Sequence, residues 1–287
     1  MKVKFSASQL KAWQGCALRA SFIYVDKMDR YSVGSSAHFG TCVHLALENF
    51  HNGVDLDSCI QIFRDAYDEI EPDYYNQRTS RSRFLDMGPK MISDYADSVS
   101  WEDHITLGSE FRFMVPFGSH TISGIVDHLH VSSNGKTVYV DDLKTGKRPN
   151  MDSLHLDLQM TSYDWAIRQR EFWVGVESDD PDWPDKYCGL SNGDELFEKY
   201  KDAEIVVRWV DLKKPEFVNV GKRDEFDYAR LYRMMEMIDR AVETKTFVPC
   251  ISADTCKFCE FKDICPVWVD PPVRVSDFEE STGKEEW

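Results

Sequence analysis

No stretch of the 287-residue sequence is apolar for long enough to span a membrane. Its start, MKVKFSASQL, lacks the apolar core of a secretory signal, and this predicts a cytoplasmic protein. Basic residues are scarce as well: 34 Lys and Arg stand against 50 Asp and Glu, for a net charge of −16. That shortage argues against a nucleic-acid partner, because phosphate contacts need local positive charge. It leaves room for a basic channel under an acidic exterior. Much of the excess acid lies in ESDDPDWPD (177–185) and in the tail 277–286, which read as solvated loops or termini. The 287 residues are enough for one large domain or two small ones, and a hydrophobic content of 42% supports a sizeable core.

The most informative stretch runs from Thr121 to Pro149: TISGIVDHLHV, SSNGK, TVYVDDLKTGKRP. Two runs rich in β-branched residues flank Asn134-Gly135, a strong signal for a two-residue hairpin turn. With that turn, Asp127 faces Asp142, Leu129 faces Val140, Val131 faces Val138 and Ile125 faces Lys144. His128 with Asp141 and His130 with Tyr139 take the other face. Period-2 spacing therefore puts Asp142, and not Asp141, on the face of Lys144. Like charges directly opposite on a sheet repel, and desolvation at the edge of a core increases the cost. Lys144 is one charge against two. A divalent ion with oxygen ligands, Mg²⁺ or Mn²⁺, is the economical neutraliser.

Elsewhere the pattern is mostly helical. Residues 5–30 read as a helix entry with Ser6 or Ser8 as N-cap and Cys16 inside it. A small-residue loop precedes TCVHLALENF, where His44 and Glu48 lie one turn apart on one face. Residues 53–101 read as helices broken at Pro72 and near Gly88-Pro89. Among them YYNQRTSRSRFL sets Arg78, Arg81 and Arg83 beside Tyr74, Tyr75 and Phe84, a composition suited to single-stranded nucleic acid. Residues 106–117 alternate as a strand, with Glu110 on the face opposite Phe111. HLDLQMTSYDWAIRQ reads as a helix with Gln159 and Tyr163 four apart. EIVVRWVDL (204–212) reads as a final strand before a helix over 224–244.

A second signal is CKFCEFKDICP, in which Cys256, Cys259 and Cys265 put three thiolates on a tight loop. Such clusters in cytosolic proteins mean metal rather than disulfides. Spacing alone allows a four-cysteine zinc site or a [4Fe–4S] cluster, each with a fourth ligand from elsewhere.

GIVD, a turn and then VYVDDLKTG resemble the active-site hairpin of the PD-(D/E)xK nuclease superfamily, in particular its RecB-like branch. That branch includes recombination nucleases and the iron–sulfur exonucleases associated with CRISPR adaptation. The resemblance spans about residues 5–268, with cysteine, histidine, aspartate, Asp-x-Lys, Gln-x-x-x-Tyr and the cysteine trio in the family's order. It implies a restriction-endonuclease-like fold: a mixed central sheet flanked by helices, with a helical insertion (51–105) that helps enclose a strand. It also implies one nuclease domain over 1–270 and an acidic tail, 271–287. His44, Asp127, Asp142 and the Leu143 carbonyl would hold Mg²⁺ or Mn²⁺, with Lys144 acting on the water. Gln159 and Tyr163 would approach the active site and the DNA. Cys16, followed by Ala17 where the family commonly has Pro, would join Cys256, Cys259 and Cys265 around a [4Fe–4S] cluster tying the two ends of the chain. Cys250 stays outside that pattern, and Cys42, Cys59 and Cys188 read as ordinary thiols. Glu110 falls where the family often has an acid, yet a sheet-surface glutamate is the simpler reading.

The function so implied is a metal-dependent DNA exonuclease acting on single-stranded ends. Recombination, phage replication and CRISPR adaptation are its implied settings and sources of protein partners. The alternative is a non-catalytic iron–sulfur module of the same fold that binds DNA ends or partners. Intact Asp127, Asp142 and Lys144 argue against that alternative, and the charge of −16 argues for it.

Overall fold

A computed structural model of the protein describes residues 5–28, 34–69, 80–169, 173, 176–177, 187–188, 190, 192–257 and 259–269. Pro72, Tyr74, Tyr75 and Arg78, the acidic stretch beyond Glu177 and the tail 271–287 lie outside them.

The centre is a six-stranded mixed sheet built around β3 (His120–Ser132). Along one edge, β3 pairs antiparallel with β2 (His104–Phe117) over its whole length. Its other edge is shared: β1 (Phe5–Ser6) pairs in parallel with Ile122 and Ser123, and β4 (Thr137–Lys144) pairs antiparallel with the second half. β4 then runs parallel to β7 (Glu204–Asp211), and β8 (Glu216–Asn219) closes that side. The expected final strand over 204–212 is thus followed by one more. β5 (Val176–Glu177) and β6 (Tyr187–Cys188) form a separate short ribbon.

The hairpin has the expected register, His128 with Asp141 through Val131 with Val138, but not the expected turn. The connection is four residues, Ser133 to Lys136, and of its residues only Gly135 has positive φ. Side chains close it instead. Ser132 Oγ accepts from Thr137 N at 3.1 Å, and Asn134 Oδ1 accepts from Lys136 N at 2.9 Å. Widening the turn symmetrically leaves the pairing, and hence the face of every side chain, unchanged.

Helices cover both faces. On one side lie α1 (Ala7–Gly15), α2 (Ala17–Tyr24), α7 (Leu158–Arg168) and α9 (Glu225–Thr244), whose Leu10, Trp13, Ala20, Met160 and Leu231 pack with Leu129, Val131, Val138 and Val140. The other side carries α3 (Ser35–His51), α4 (Leu56–Asp68) and α5 (Arg81–Ala96), packed on Leu143 and Val210. Between β4 and β7 the chain forms α6 (Met151–His155), α7 and α8 (Gly193–Tyr200). Helix α9 begins at a capping box made by Asp224 and Asp227.

Two local readings change. The single helix expected over 5–30 is two, because Cys16 is extended (φ −162°) and ends one while starting the next. Ser6 caps the first with a reciprocal Gln9 bond. Gly88-Pro89 does not break α5: the Phe63 ring of α4 sits where a Gly88 side chain would be, with its Cζ 2.0 Å from an ideal Cβ. The packing across that bare site holds a helix that Pro89 alone would weaken.

The face of β4 opposite Lys144 is not solvated either. Asp141, His128 and His130 are each fully buried under α3 and α5. His51 of α3 stacks on His128 with ring centroids 3.6 Å apart. Arg208 of β7 grips Asp141 through Nε and Nη2, both at 2.6 Å.

Candidate active site

Asp127 and Asp142 sit one place beyond the last regular pair of the β3–β4 ladder. There the backbone bond is replaced by a side chain: Leu143 N donates to Asp127 Oδ2 at 2.6 Å. Lys144 Nζ lies 2.7 Å from Asp142 Oδ1. Apart from that ionic contact, neither Asp142 oxygen has a hydrogen-bond partner among the described residues, although Asp142 is fully buried. A buried carboxylate without donors is costly unless a cation neutralises it.

Helix α3 brings His44 to the same spot from the other side of β4. Its Nε2 is 3.0 Å from the Leu143 carbonyl, which leaves Nδ1 facing Asp127 Oδ1 at 3.6 Å and Glu110 Oε1 at 3.4 Å. One atom each of His44, Glu110 and Asp127 lies within 4.8 Å of the other two. Two carboxylates and an imidazole suit Mg²⁺, Mn²⁺ or a related divalent ion. A His whose second nitrogen donates to a carbonyl is the usual orientation of a metal-bound imidazole.

Glu110 is the residue that sequence reasoning set aside. The β2–β3 register places it across from Asp127, since Ser109 pairs with His128 and Phe111 with Val126. Its backbone is left-handed, at φ 47°, a conformation that non-glycine residues hold at a cost and that concentrates at functional sites. The register was a legible clue; the backbone turn that aims Glu110 at His44 was not.

The charges respond to one another. Burial pushes the Asp142 carboxyl up, to about 6; the nearby Asp127 carboxylate adds to the rise, and Lys144 works against it. For Lys144, burial acts to lower the pKa, but the carboxylates of Asp142 and Asp127 prevail and raise it. His44 behaves alike: burial pulls it down, and Asp127 and Glu110 bring it above its ordinary value. Glu48, one turn along α3, is raised by burial and by Glu110. His44, Glu48, Glu110 and Arg112 line an open groove of about 620 Å³.

Gln159 and Tyr163 of α7 support the hairpin from behind. Gln159 Nε2 donates to the Tyr163 hydroxyl at 2.8 Å, and that hydroxyl donates to the Ile125 carbonyl at 2.7 Å. Their side chains hold the β3 backbone two residues before Asp127. Lys11 of α1 adds an ion pair with Asp157, the N-cap of α7, at 2.9 Å.

Five cysteines gather at a separate cavity. Cys16, Cys250, Cys256, Cys259 and Cys265 line one cavity, and all five are free thiols. Cys250 N donates to Cys16 Sγ at 3.3 Å. A bidentate pair, Arg19 Nη2 to Glu260 Oε1 at 2.8 Å and Nε to Oε2 at 3.0 Å, clamps α2 to the trio's loop. Free thiols around one cavity are the donor type that suits a soft metal centre, although no three of these sulfurs lie within 4.8 Å of one another. Cys42 and Cys59 lie in the helical layer under α3 and α4, away from this cavity.

Comparison with known proteins adds three findings. A family model described as "PD-(D/E)XK nuclease superfamily" matches residues 4–266. No curated protein matches the chain. Among solved structures, a protein from Eubacterium rectale described, provisionally, as an exonuclease is similar, with 10% identity over 99% of this chain and 94% of that one, at a TM-score of 0.45.

Proposed function

The chain belongs to the PD-(D/E)XK nuclease superfamily, and from that premise we propose that it is a divalent-metal-dependent DNA exonuclease. The observation that carries the proposal is the convergence of His44, Glu110 and Asp127 beside a buried Asp142 carboxylate whose one polar partner among the described residues is Lys144. In this reading His44, Asp127 and Asp142 hold Mg²⁺ or Mn²⁺, with Glu110 as a further oxygen donor, and the Leu143 carbonyl orients the His44 ring in place of the ligand role the resemblance implies for it. When bound, such an ion polarises a phosphoryl oxygen and lowers the pKa of a water.

The protein's own side chains do the rest. Lys144, kept protonated by Asp142 and Asp127, orients the attacking water and stabilises the negative charge that develops at phosphorus. Asp142 fixes the Lys144 ammonium and supplies an oxygen to the ion. His44 orients itself through the Leu143 carbonyl. Gln159 and Tyr163 are positioning residues: they hold the strand that carries Asp127 and make no hydrogen bond to Asp127 or Asp142.

The thiol cavity is read as the site of a structural [4Fe–4S] cluster on Cys16, Cys256, Cys259 and Cys265. Its free energy of assembly would add to that of folding by joining the two ends of the chain. The nuclease unit is taken as residues 1–270, with 51–105 as a helical insertion and 271–287 as an acidic tail. No helix among the described residues is long and apolar enough to cross a membrane. Cytoplasmic end processing in recombination, replication or CRISPR adaptation is the setting this reading favours.

End-labelled single- and double-stranded DNA, incubated with Mg²⁺, Mn²⁺ or a chelator, tests it. Metal-dependent release of label from the ends is expected. Asp142→Asn and Lys144→Ala should each lower the rate by about a hundredfold or more. Wild-type protein that leaves both substrates intact with either ion would overturn the reading, and cleavage of closed circles would make it an endonuclease.

A further inference from the structure

Glu110 holds its left-handed backbone in the middle of β2. The pairing of β2 with β3 passes from Ser109–His128 to Phe111–Val126 and omits Glu110 and Asp127 between them. Part of this kink is built in at Gly108, which lets the Phe111 ring come back across the turn, 2.8 Å from where a Cβ would stand. The rest is held from outside. Ser109 Oγ lies 3.1 Å from the Asp127 carbonyl and 3.2 Å from His51 Nδ1. His51 Nε2 in turn lies 2.9 Å from the Tyr95 hydroxyl.

The direction of every bond in this chain is determined. A carbonyl can only accept, so the one Ser109 hydroxyl proton goes to Asp127. The hydroxyl oxygen must then accept from His51, which places a proton on Nδ1. Burial pushes His51 down to about 3, against the pull of Asp141, so the ring is neutral at neutral pH and carries a single N–H. Nε2 is therefore an acceptor, and Tyr95 donates to it. The ring plane is fixed as well, by stacking on His128 with centroids 3.6 Å apart and planes 6° apart. His51 lies about two turns beyond His44 on α3 and shares its face. One helix thus meets Glu110 directly through His44, and Ser109, its neighbour, through His51.

We infer that Ser109 and His51 are positioning residues for Glu110: the bonded chain from Tyr95 of α5 to the Asp127 carbonyl holds the kink that keeps the Glu110 carboxylate beside His44 and Asp127. The inference rests on the reading of that group as a divalent-metal site. A strained backbone persists only where its surroundings over-determine it. Without the Ser109 hydroxyl, β2 relaxes towards a regular strand, Glu110 withdraws, and the ion loses an oxygen donor. Groups that orient metal ligands from outside are worth about tenfold to a hundredfold in metal affinity.

Two measurements test it, and neither needs DNA to be cut. The first is Mn²⁺ binding, followed as loss of the free-ion EPR signal. The proteins compared are wild type, Ser109→Ala, His51→Phe, Glu110→Gln, and Glu110→Gln combined with each of the other two. His51→Phe keeps a ring against His128 and loses both nitrogens, and it carries the comparison should Ser109→Ala fail to fold. Ser109→Ala and His51→Phe should each weaken binding by about tenfold or more. Added to Glu110→Gln, neither should weaken it further, because both act through that carboxylate. A general loosening of the fold would lower affinity by the same factor with or without Glu110, and that result would overturn the inference. So would Ser109→Ala that binds Mn²⁺ as wild type does. The second measurement is the imidazole nitrogen NMR spectrum of metal-free wild type at neutral pH, with the His51 signals identified by their loss in His51→Phe. A protonated Nδ1 and a bare Nε2 are expected, and a bare Nδ1 would overturn the chain. Wild type that binds no Mn²⁺ but shows this tautomer loses the metal reading and keeps the hydrogen-bond chain. Wild type that binds Mn²⁺ but shows the other tautomer keeps the metal reading and loses the inference.

Discussion

Asp141 and Asp142 are consecutive on β4 and both fully buried, yet their surroundings are opposite. Asp141 accepts from Arg208 Nε and Nη2 at 2.6 Å each and lies 3.2 Å from His130 Nε2. Asp142 has the Lys144 ammonium at 2.7 Å and no other donor among the described residues. One carboxylate is held by several donors; the other has a single cation at one of its oxygens.

Asp141→Asn should therefore be a stability variant. On the sequence alone its side chain points away from the Lys144 face and invites no role. In the fold, neutralising it strands Arg208 between Tyr139 and Phe217 without a counter-charge. Breaking one partner of a buried pair costs about 3–5 kcal/mol. Burial acts to raise the Asp141 pKa, but Arg208 and His130 outweigh it and hold it down at about 2. A folded pKa below the unfolded one gives stability that is present above about pH 4 and is lost as pH falls towards 2, worth about 2 kcal/mol here. Thermal melts of wild type and Asp141→Asn across that range should converge as pH drops. A variant that melts with wild type at neutral pH would contradict the buried pair.

Asp142 should show the reverse slope. Its carboxyl is pushed up to about 6, so in the metal-free protein its stabilising form is the protonated one. That contribution is full below about pH 4 and is lost as pH rises through 6, by roughly 3 kcal/mol. In chelator, the stability of wild type relative to Asp142→Asn should fall across this interval. Saturating Mg²⁺ should abolish the difference in slope. A flat difference from pH 4 to 7 in chelator would mean that Asp142 is not a strained buried charge.

Asp127 separates folding from metal binding. Its Oδ2 accepts the Leu143 amide, and its Oδ1 faces His44. Asp127→Ala removes both, and an unpaired buried amide costs about 1–3 kcal/mol. Asp127→Asn can keep the amide's acceptor while losing the charge. Its melting temperature in chelator should stay near that of wild type, and Asp127→Ala should melt lower. Neither should gain the increment of about 2.7 kcal/mol that wild type gains at a hundredfold excess of metal over Kd. Wild type indifferent to millimolar Mg²⁺ and Mn²⁺ would count against a metal at this place.

The hairpin register, the sheet-and-helix class and the grouping of Asp127, Asp142 and Lys144 were legible because period-2 alternation survives a symmetric widening of the turn. Glu110 was not, because alternation assumes a regular strand and its left-handed backbone departs from one. The buried histidine face was missed for a related reason. His128, His130 and Asp141 look polar and therefore solvated, whereas Arg208, which neutralises them, lies on a strand that pairs with β4 only after α6, α7 and α8 have intervened. The break at Cys16 was likewise hidden, since an extended residue between two helices leaves no mark in an apolar repeat.

The cysteine cavity carries the last prediction. Five thiols line it, and a four-thiolate site must leave one out. Cys250 is local to the trio, and closing a longer loop to Cys16 costs only about 0.6 kcal/mol per doubling of length. Against that small penalty, Cys16 sits at the junction of α1 and α2, whose Arg19 is clamped to Glu260 on the trio's loop. The Cys250 amide donates to Cys16 Sγ, the contact expected of a backbone that supports a ligand sulfur and does not itself supply one. Purified without oxygen, the protein should be brown and contain iron and acid-labile sulfide in near-equal amounts. Cys16→Ser should lose colour, iron and melting temperature together. Cys250→Ser should keep the iron and the stability, because its amide remains. Colourless wild type holding zinc would refute the cluster; brown Cys16→Ser beside colourless Cys250→Ser would refute the choice of ligand.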